Sequence, residues 1–417
     1  MRGPRVLNMG CRLNALESEV MQDLAGSAGV KDAIIFNTCA VTAEAERQAR
    51  QMIRREKRNH PKKRIVVSGC AAQLNPELFA SMPEVDHVLG NDEKLRLKNW
   101  ERVKNGLECQ VSDIMHAKEL NRYSTKKRNS RIRGFMQIQQ GCDHRCTFCI
   151  IPFARGISRS VPLKVLIQQA NNLVKLGYKE ITVTGVDICS YGKDFAEKMD
   201  LGVAIGLLLD AVPAIKRLRL TSLDPAAIDE KLIDLLKNQP RLMPHVHLSI
   251  QALDNVILKR MKRRHSVEDT WGVIERIRDA SPNIAIGADL IAGFPTESDQ
   301  MFDNALSILK DMDIPFLHVF PYSERAGTPA ARMPLLPISL RKERAALLRN
   351  TGKRMMKTFL RRKVGSVVSI LIEAERAGRA TFYSLVDTNE DVPVGETVRV
   401  LITGFKDNKL LGKILYD

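Results

Sequence analysis

The sequence predicts an α/β chain in three parts: a small, mostly parallel α/β domain, an open barrel of six βα units, and a small C-terminal β-barrel. Three observations predict it. Short β-rich runs alternate with helical stretches from Arg5 to about Asn105, and the alternation returns with longer units from Phe135. From about Arg362 only β-rich runs and turn signals follow. The 417 residues suffice for two or three bodies with full cores, and 44% hydrophobic with 27% charged residues is ordinary for a soluble globular protein.

In the first part (1–115) the expected strands are Arg5 to Met9, Ala33 to Asn37, Arg64 to Ser68 and Asp86 to Leu89. Helical stretches Asn14 to Ser27, Thr42 to Arg58 and Pro76 to Ser81 separate them. Cys11, Cys39 and Cys70 each fall within a residue or two of a strand end. Ligands of open parallel sheets bind outside the carboxyl ends of the strands, so three thiols placed there can converge on one site. A single such cysteine reads as a small buried hydrophobe. Three in equivalent contexts, Met-Gly-Cys, Asn-Thr-Cys and Ser-Gly-Cys, read as a cluster-binding set, and Gly10 or Gly69 lets backbone approach a bulky ligand.

The stretch 116–134 is polar and basic, with Lys118, Arg122, Lys126, Lys127, Arg128, Arg131 and Arg133, and reads as an interdomain linker.

The barrel (135–360) takes strands at Phe135 to Gln140, Glu180 to Thr184, Arg217 to Thr221, His245 to Ile250, Ala285 to Leu290 and Phe316 to Phe320. Its helices are Pro162 to Leu176, Val203 to Val212, Ala226 to Leu236, Ser266 to Asp279 and Ser298 to Lys310. Active residues of such barrels stand at the strand carboxyl ends. The last part (361–417) has β-like runs Val364 to Glu373, Thr381 to Asp387 and Glu396 to Gly404, with turns at Asn389 to Asp391 and Asp407-Asn408. Small barrels of this kind are common nucleic-acid platforms, though a structural cap on the larger barrel is the plainer alternative. Few aromatics (Phe382, Tyr383, Phe405) stand ready to stack bases, which favours backbone binding.

A formal charge of +17 and pI ≈ 9.6 suit a polyanionic partner, most simply nucleic acid. The densest basic run, Lys259-Arg260-Met261-Lys262-Arg263-Arg264-His265, follows the fourth barrel strand near the expected mouth, and Arg361, Arg362 and Lys363 add charge where the last part begins. These are expected to face phosphates. Met1 to Gly10 lacks an apolar export core, and the longest apolar run, Leu201 to Leu209, is too short to span a bilayer. Eight cysteines in such a chain point to metal rather than disulfides, and to a cytoplasmic enzyme. His60, His87 and His318 read as structural, and Cys109 and Cys189 have no spacing partner.

Cys142, Cys146 and Cys149 form a C-x3-C-x2-C loop directly after the first barrel strand. Three thiolates on one loop can hold three irons of a cubane cluster and leave the fourth open to a small molecule. A zinc loop closed by His144 is the alternative. Structural zinc sites usually pair C-x2-C units, and no second pair exists in the chain.

This spacing, with Phe148 before the last cysteine, resembles the loop of radical S-adenosylmethionine (SAM) enzymes. Over nearly its whole length the chain resembles one family, the methylthiotransferases. They join an N-terminal three-cysteine domain, a radical SAM barrel and a C-terminal TRAM domain. The matching stretches are Gly10 to Asn14 with Glu17-Ser18-Glu19, Asn37 to Thr42, Gly141 to Cys149, Gly185-Val186-Asp187, Lys259 to His265, Gly293-Phe294-Pro295 and Phe320 to Ser323. Within the family it is most similar to the type acting on N6-threonylcarbamoyladenosine of tRNA. It departs at Leu253, where the family usually has glycine, and at Leu16, which replaces a usual aromatic.

The resemblance implies two 4Fe–4S clusters: Cys142, Cys146 and Cys149 would hold the one that cleaves SAM, and Cys11, Cys39 and Cys70 an auxiliary one that supplies or carries sulfur. Phe148, Gly185, Asp187, Ser249, Gln251 and Asp289 would contact SAM. Lys259, Arg260, Lys262, Arg263, Arg264, Arg361, Arg362 and Lys363 would grip RNA. The reaction implied places a methylthio group on C2 of the modified adenine beside the anticodon. The partners implied are a tRNA anticodon loop and an electron donor such as flavodoxin or ferredoxin, with the enzyme a monomer. Isopentenyladenosine in tRNA, or an aspartate of a ribosomal protein, is the alternative acceptor; a non-catalytic iron–sulfur RNA-binding protein is the alternative class.

Overall fold

The structure, a computed structural model, describes residues 3–106, 108–117, 120 and 131–416. In the linker, Lys118, Arg122, Lys126, Lys127 and Arg128 lie outside the described residues.

The N-terminal sheet is parallel, with strand order β1 (Arg5–Asn8), β2 (Ala33–Thr38), β3 (Arg64–Gly69), β4 (His87–Leu89) and β5 (Cys109–Gln110). All six residues of β2 are buried, because both faces of the sheet are covered. Ile34 and Phe36 pack into one core with Ile53 and Phe79, while Ala33 and Ile35 pack into the other with Met21 and Trp100. The crossovers include α1 (Arg12–Ser27) and α2 (Ala43–Asn59). Helix α2 starts where Thr42 accepts from Ala45 N, with Glu44 and Glu46 in its first turn and Lys57 and Arg58 in its last, all complementing the helix dipole. The edge strand β5, which contains Cys109, is an addition to the four strands expected from sequence.

The six βα units form an open barrel. One parallel sheet holds β6 (Arg133–Gln137), β7 (Glu180–Thr184) and β8 (Leu218–Arg219). The other holds β9 (Ser222–Leu223), β10 (His245–Gln251), β11 (Ala285–Ala292) and β12 (Phe316–Pro321). The expected third strand, Arg217 to Thr221, is realised as β8, and β9 of the other sheet begins just beyond it. Residues such as Val183, Leu248, Ile286 and Ala288 pack outward on the helices in the largest core. The alternating positions turn inward and are polar: Arg217 and Arg219 bind the Glu180 carboxylate at 2.9 and 2.8 Å.

A 26-residue helix, Ile338–Lys363, leads to a closed five-stranded barrel of order β13 (Val367–Ala374), β14 (Ala377–Ala380), β15 (Leu385–Thr388), β17 (Lys409–Leu415) and β16 (Thr397–Lys406). This barrel sits under the amino ends of the larger barrel's strands. Arg217 and Arg219 donate to the carbonyls of Arg379 and Thr381, and the ring of Tyr383 lies 4.6 Å from His245. The opposite, carboxyl end of the large barrel is left to the N-terminal domain.

Candidate active site

The carboxyl ends of β1–β3 face those of the large barrel across a cleft of ≈ 310 Å³. All six motif cysteines line it: Cys11, Cys39 and Cys70 from one side, Cys142, Cys146 and Cys149 from the other. Cys11 precedes α1, Cys39 follows β2, and Cys70 opens the short helix α3 (Cys70–Leu74). Gly69 makes the last placement possible. It has φ +98°, and a Cβ there would stand 2.3 Å from Thr38 N. Gly141 does the same for the other set, with φ +76° and an added Cβ only 1.8 Å from the Ile157 carbonyl oxygen. The Cys142–Cys149 loop is tied to the barrel by Thr147, whose N–H donates to Met261 O at 3.1 Å and whose hydroxyl donates to Arg260 O at 2.8 Å.

Three of the sulfurs accept from the backbone N–H two residues on: Cys39 from Val41, Cys142 from His144 and Cys149 from Ile151. Charged and amide side chains reach two more: Arg155 Nε lies 3.1 Å and Asn91 Nδ2 3.8 Å from Cys70 Sγ, and Arg263 Nη1 3.6 Å from Cys146 Sγ. Hydrogen bonds aimed at sulfur tune the potential of a cluster held by such thiolates. Without metal, burial pushes the Cys39 and Cys149 thiols up to about 11 and Cys142 to about 12, so binding metal must displace their protons. Two sets of three thiols on one cleft fit two clusters that each keep an open iron. Cys109 is exposed on β5 and Cys189 buried, neither on the cleft.

His144 does not close a zinc site with the loop cysteines alone. Its Nε2 lies 2.9 Å from Asp187 Oδ2 and 3.9 Å from Asp224 Oδ2. Burial would raise the Asp187 carboxyl, but His144 and Ser190 hold it below its ordinary value. Asp224 is likewise held well down, against its burial, by His265, Arg263 and Arg264.

Of the residues expected to contact SAM, Phe148, Gly185, Asp187, Ser249 and Gln251 line the cleft. Asp289 does not. Its carboxylate lies deeper in the barrel, 3.0 Å from His247 Nε2 and 3.4 Å from His318 Nδ1. Among the expected phosphate contacts, Lys259, Arg260, Lys262, Arg264, Arg361 and Arg362 are exposed or partly so. Arg263 is turned inward: 8% exposed, it donates to Ser249 O at 2.9 Å and pairs with Asp224 at 3.2 Å. Lys363 is half-buried over the rings of Phe359 and Phe382, at 5.2 and 4.9 Å. Of the two departures from the family pattern, Leu253 packs into the barrel core and Leu16 is buried on α1.

Sequence alone did not single out Lys94, Arg155 and Asp224, and it gave Asn14 and Glu17 only as parts of matching stretches, with no role. Glu17 is fully buried, 2.7 Å from Lys94 Nζ, and takes both Arg155 amino groups. Burial would raise Glu17, yet Arg155 and Lys94 hold it low. The charge of a glutamate buried within α1 is explained by its partners, 77 and 138 positions away.

Two family models match the chain: the Radical SAM superfamily over residues 136–309, and Uncharacterized protein family UPF0004 over residues 5–90. The threonylcarbamoyladenosine tRNA methylthiotransferase MtaB of Rickettsia prowazekii is 42% identical over 96% of this chain and 95% of its own length. That of Bacillus subtilis is 33% identical over 98% and 91%. The tRNA-2-methylthio-N(6)-dimethylallyladenosine synthase of Bacillus subtilis is 32% identical over 97% and 81%. Among solved structures, the radical SAM methyltransferase TsrM of Kitasatospora setae shares the fold, with a TM-score of 0.58 at 16% identity over 79% of this chain and 75% of that one. Sequence, fold and the paired cysteine sets agree, and the chain belongs to the radical SAM methylthiotransferases.

Proposed function

We propose that this enzyme places a methylthio group on C2 of N6-threonylcarbamoyladenosine next to the tRNA anticodon. The observation that carries the reaction is the meeting of two three-cysteine sets on one cleft. The choice of adenosine is supported by the 42% identity to a relative named for it, against 32% to one named for the dimethylallyl substrate.

The family works with SAM and two 4Fe–4S clusters. In our reading Cys142, Cys146 and Cys149 hold one cluster, and Cys11, Cys39 and Cys70 the other. Bound there, these groups supply the one-electron cleavage chemistry, the sulfur and the methyl group. The protein's own residues do the placing. Gly185 leaves room for close backbone approach at the tip of β7, and Asp187, kept ionised by His144 and Ser190, offers an acceptor for a cationic amino group. Ser249 and Gln251 present polar atoms at the tip of β10, and Phe148 covers the apolar side. Asp289, held by two histidines, acts through the barrel lining rather than by direct contact.

Exposed Lys259, Arg260, Lys262, Arg361 and Arg362 are the phosphate contacts we assign, with the small C-terminal barrel as a further RNA platform. An anticodon loop presents its base already unpaired, so little unstacking is needed. We assign a flavodoxin- or ferredoxin-type electron donor, a monomeric state and a cytoplasmic setting; no helix of the described residues is long and apolar enough to cross a membrane.

The test is a reconstituted reaction with SAM, reductant and two tRNAs, one bearing threonylcarbamoyladenosine and one isopentenyladenosine, each digested for nucleoside mass spectrometry. Methylthiolation of the first alone is expected. Modification of the second alone overturns the substrate assignment and leaves the reaction class standing.

A further inference from the structure

Arg155 ends α4 (Ile151–Arg155), the short helix that directly follows the Cys142–Cys149 loop, yet its side chain is buried inside the N-terminal domain at 2% exposure. Its Nε points at Cys70 Sγ, 3.1 Å away. Its Nη2 donates to Asn14 Oδ1 at 2.9 Å, the same oxygen that takes the Cys11 thiol at 3.2 Å, and both amino groups bind Glu17. Asn91 reinforces the joint by donating to Ala154 O at 2.7 Å from beside Cys70.

The charges in this pocket do not balance without the sulfur. Lys94 and Arg155 are two buried cations, and among the described residues Glu17 is the carboxylate that pairs with both. An uncompensated buried charge is expensive. The surplus cation faces Cys70 and, through Asn14, Cys11. At the other set the arginine nearest Cys146, Arg263, has a carboxylate beside it, Asp224 at 3.2 Å, which it shares with Arg264. A net positive charge is therefore built directly against Cys70.

We propose that Arg155 is a positioning residue that joins the two cysteine sets, donating to Cys70 and setting the reduction potential of the cluster held by Cys11, Cys39 and Cys70. This rests on the ligand set assigned above. A cation and an N–H···S bond stabilise the more negative, reduced cluster and so raise its potential. Because Arg155 is tethered by its backbone to the Cys149 side, the same bond fixes how the two sets face one another. A lysine keeps the charge but cannot bridge sulfur, amide and carboxylate together.

The experiment uses the full chain with Cys142, Cys146 and Cys149 changed to alanine, so that only the N-terminal set can bind a cluster. Parent, Arg155→Lys and Arg155→Gln are reconstituted anaerobically, iron is counted, and the reduced cluster's electron paramagnetic resonance signal is titrated against potential. Each should bind about four irons per chain, with the midpoint most positive in the parent, more negative in Arg155→Lys and most negative in Arg155→Gln, and with altered g-values. Equal midpoints and spectra at equal iron content overturn the proposal. If circular dichroism shows Arg155→Gln unfolded, Arg155→Lys carries the same reading: a shifted midpoint supports it and an unshifted one overturns it. A parent that binds no iron overturns the ligand assignment itself, and does so before Arg155 is varied.

Discussion

Cys39 and Cys142 line the same cleft, but the account gives them different work. Cys142→Ala should abolish SAM cleavage, read as loss of 5′-deoxyadenosine by chromatography. By contrast, Cys39→Ala should keep some cleavage and make no methylthio product; normal product from that variant contradicts the auxiliary-cluster assignment. Asp224 is a different case. It gathers the buried Arg263 and His265 and the partly exposed Arg264 beside Cys146. Asp224→Asn should cost roughly 3 kcal/mol of stability, because breaking a buried ion pair strands its partners. Denaturant unfolding measures this, and a loss under about 0.5 kcal/mol, typical of a surface change, contradicts the buried-pair reading. At this scale the meeting of the six cysteines on one cleft was legible because three lie on one short loop and three at strand ends. Arg263 was misread as a phosphate contact because a basic run does not show which member turns inward. Arg155 and Lys94 were invisible because their reason for being charged is Glu17, far away in sequence.

The strands and helices show a sharper contrast between what pattern reveals and what it hides. Strands β2, β3 and β7 were legible as short β-rich runs because both faces are covered. The helix Ile338–Lys363 was not, since its inner face carries Arg341, Arg344 and Thr351 among the apolar residues and blurs the helical stripe. Strand β17 was missed for a similar reason: Gly412 interrupts it, although the Asp407-Asn408 turn before it was read, and both turn residues take positive φ. Glu180 on β7 supplies a test at this scale. Arg219 and Arg217 outweigh its burial and lower its carboxyl from 4.5 to about 2. A depressed acid stabilises the fold above its unfolded value and loses that contribution as pH falls toward the folded one. The window is therefore pH 4.5 down to about 2, and the contribution about 3 kcal/mol. Glu180→Gln should be less stable than wild type at pH 7, with the gap closing across that window. A constant gap contradicts the pairing. Tyr383 gives a second reading from the small barrel: Arg12, Arg379 and Arg133 overcome burial and lower its phenol to about 8. Ultraviolet difference titration against Tyr383→Phe should show one tyrosine ionising near pH 8, and its absence contradicts the arginine cage.

The whole molecule places its chemistry at one end of the large barrel and its closure at the other. Fold class was legible because each part has its own texture of strands, helices and turns. The docking of the parts was not, since it depends on long-range pairs such as Arg12 with Tyr383, 371 positions apart. The charge of +17 predicts strong salt dependence for tRNA binding. Replacing Lys259, Arg260 and Lys262 together by alanine should weaken binding and flatten the log–log salt slope by about one for each phosphate no longer neutralised. An unchanged slope removes this run from the interface. The central claim is the reaction on tRNA, and the most direct test is nucleoside mass spectrometry of tRNA from cells lacking this protein, with and without the wild-type chain restored. The account predicts that methylthio-threonylcarbamoyladenosine disappears and returns with the chain. Its persistence in the cells lacking the chain contradicts the account.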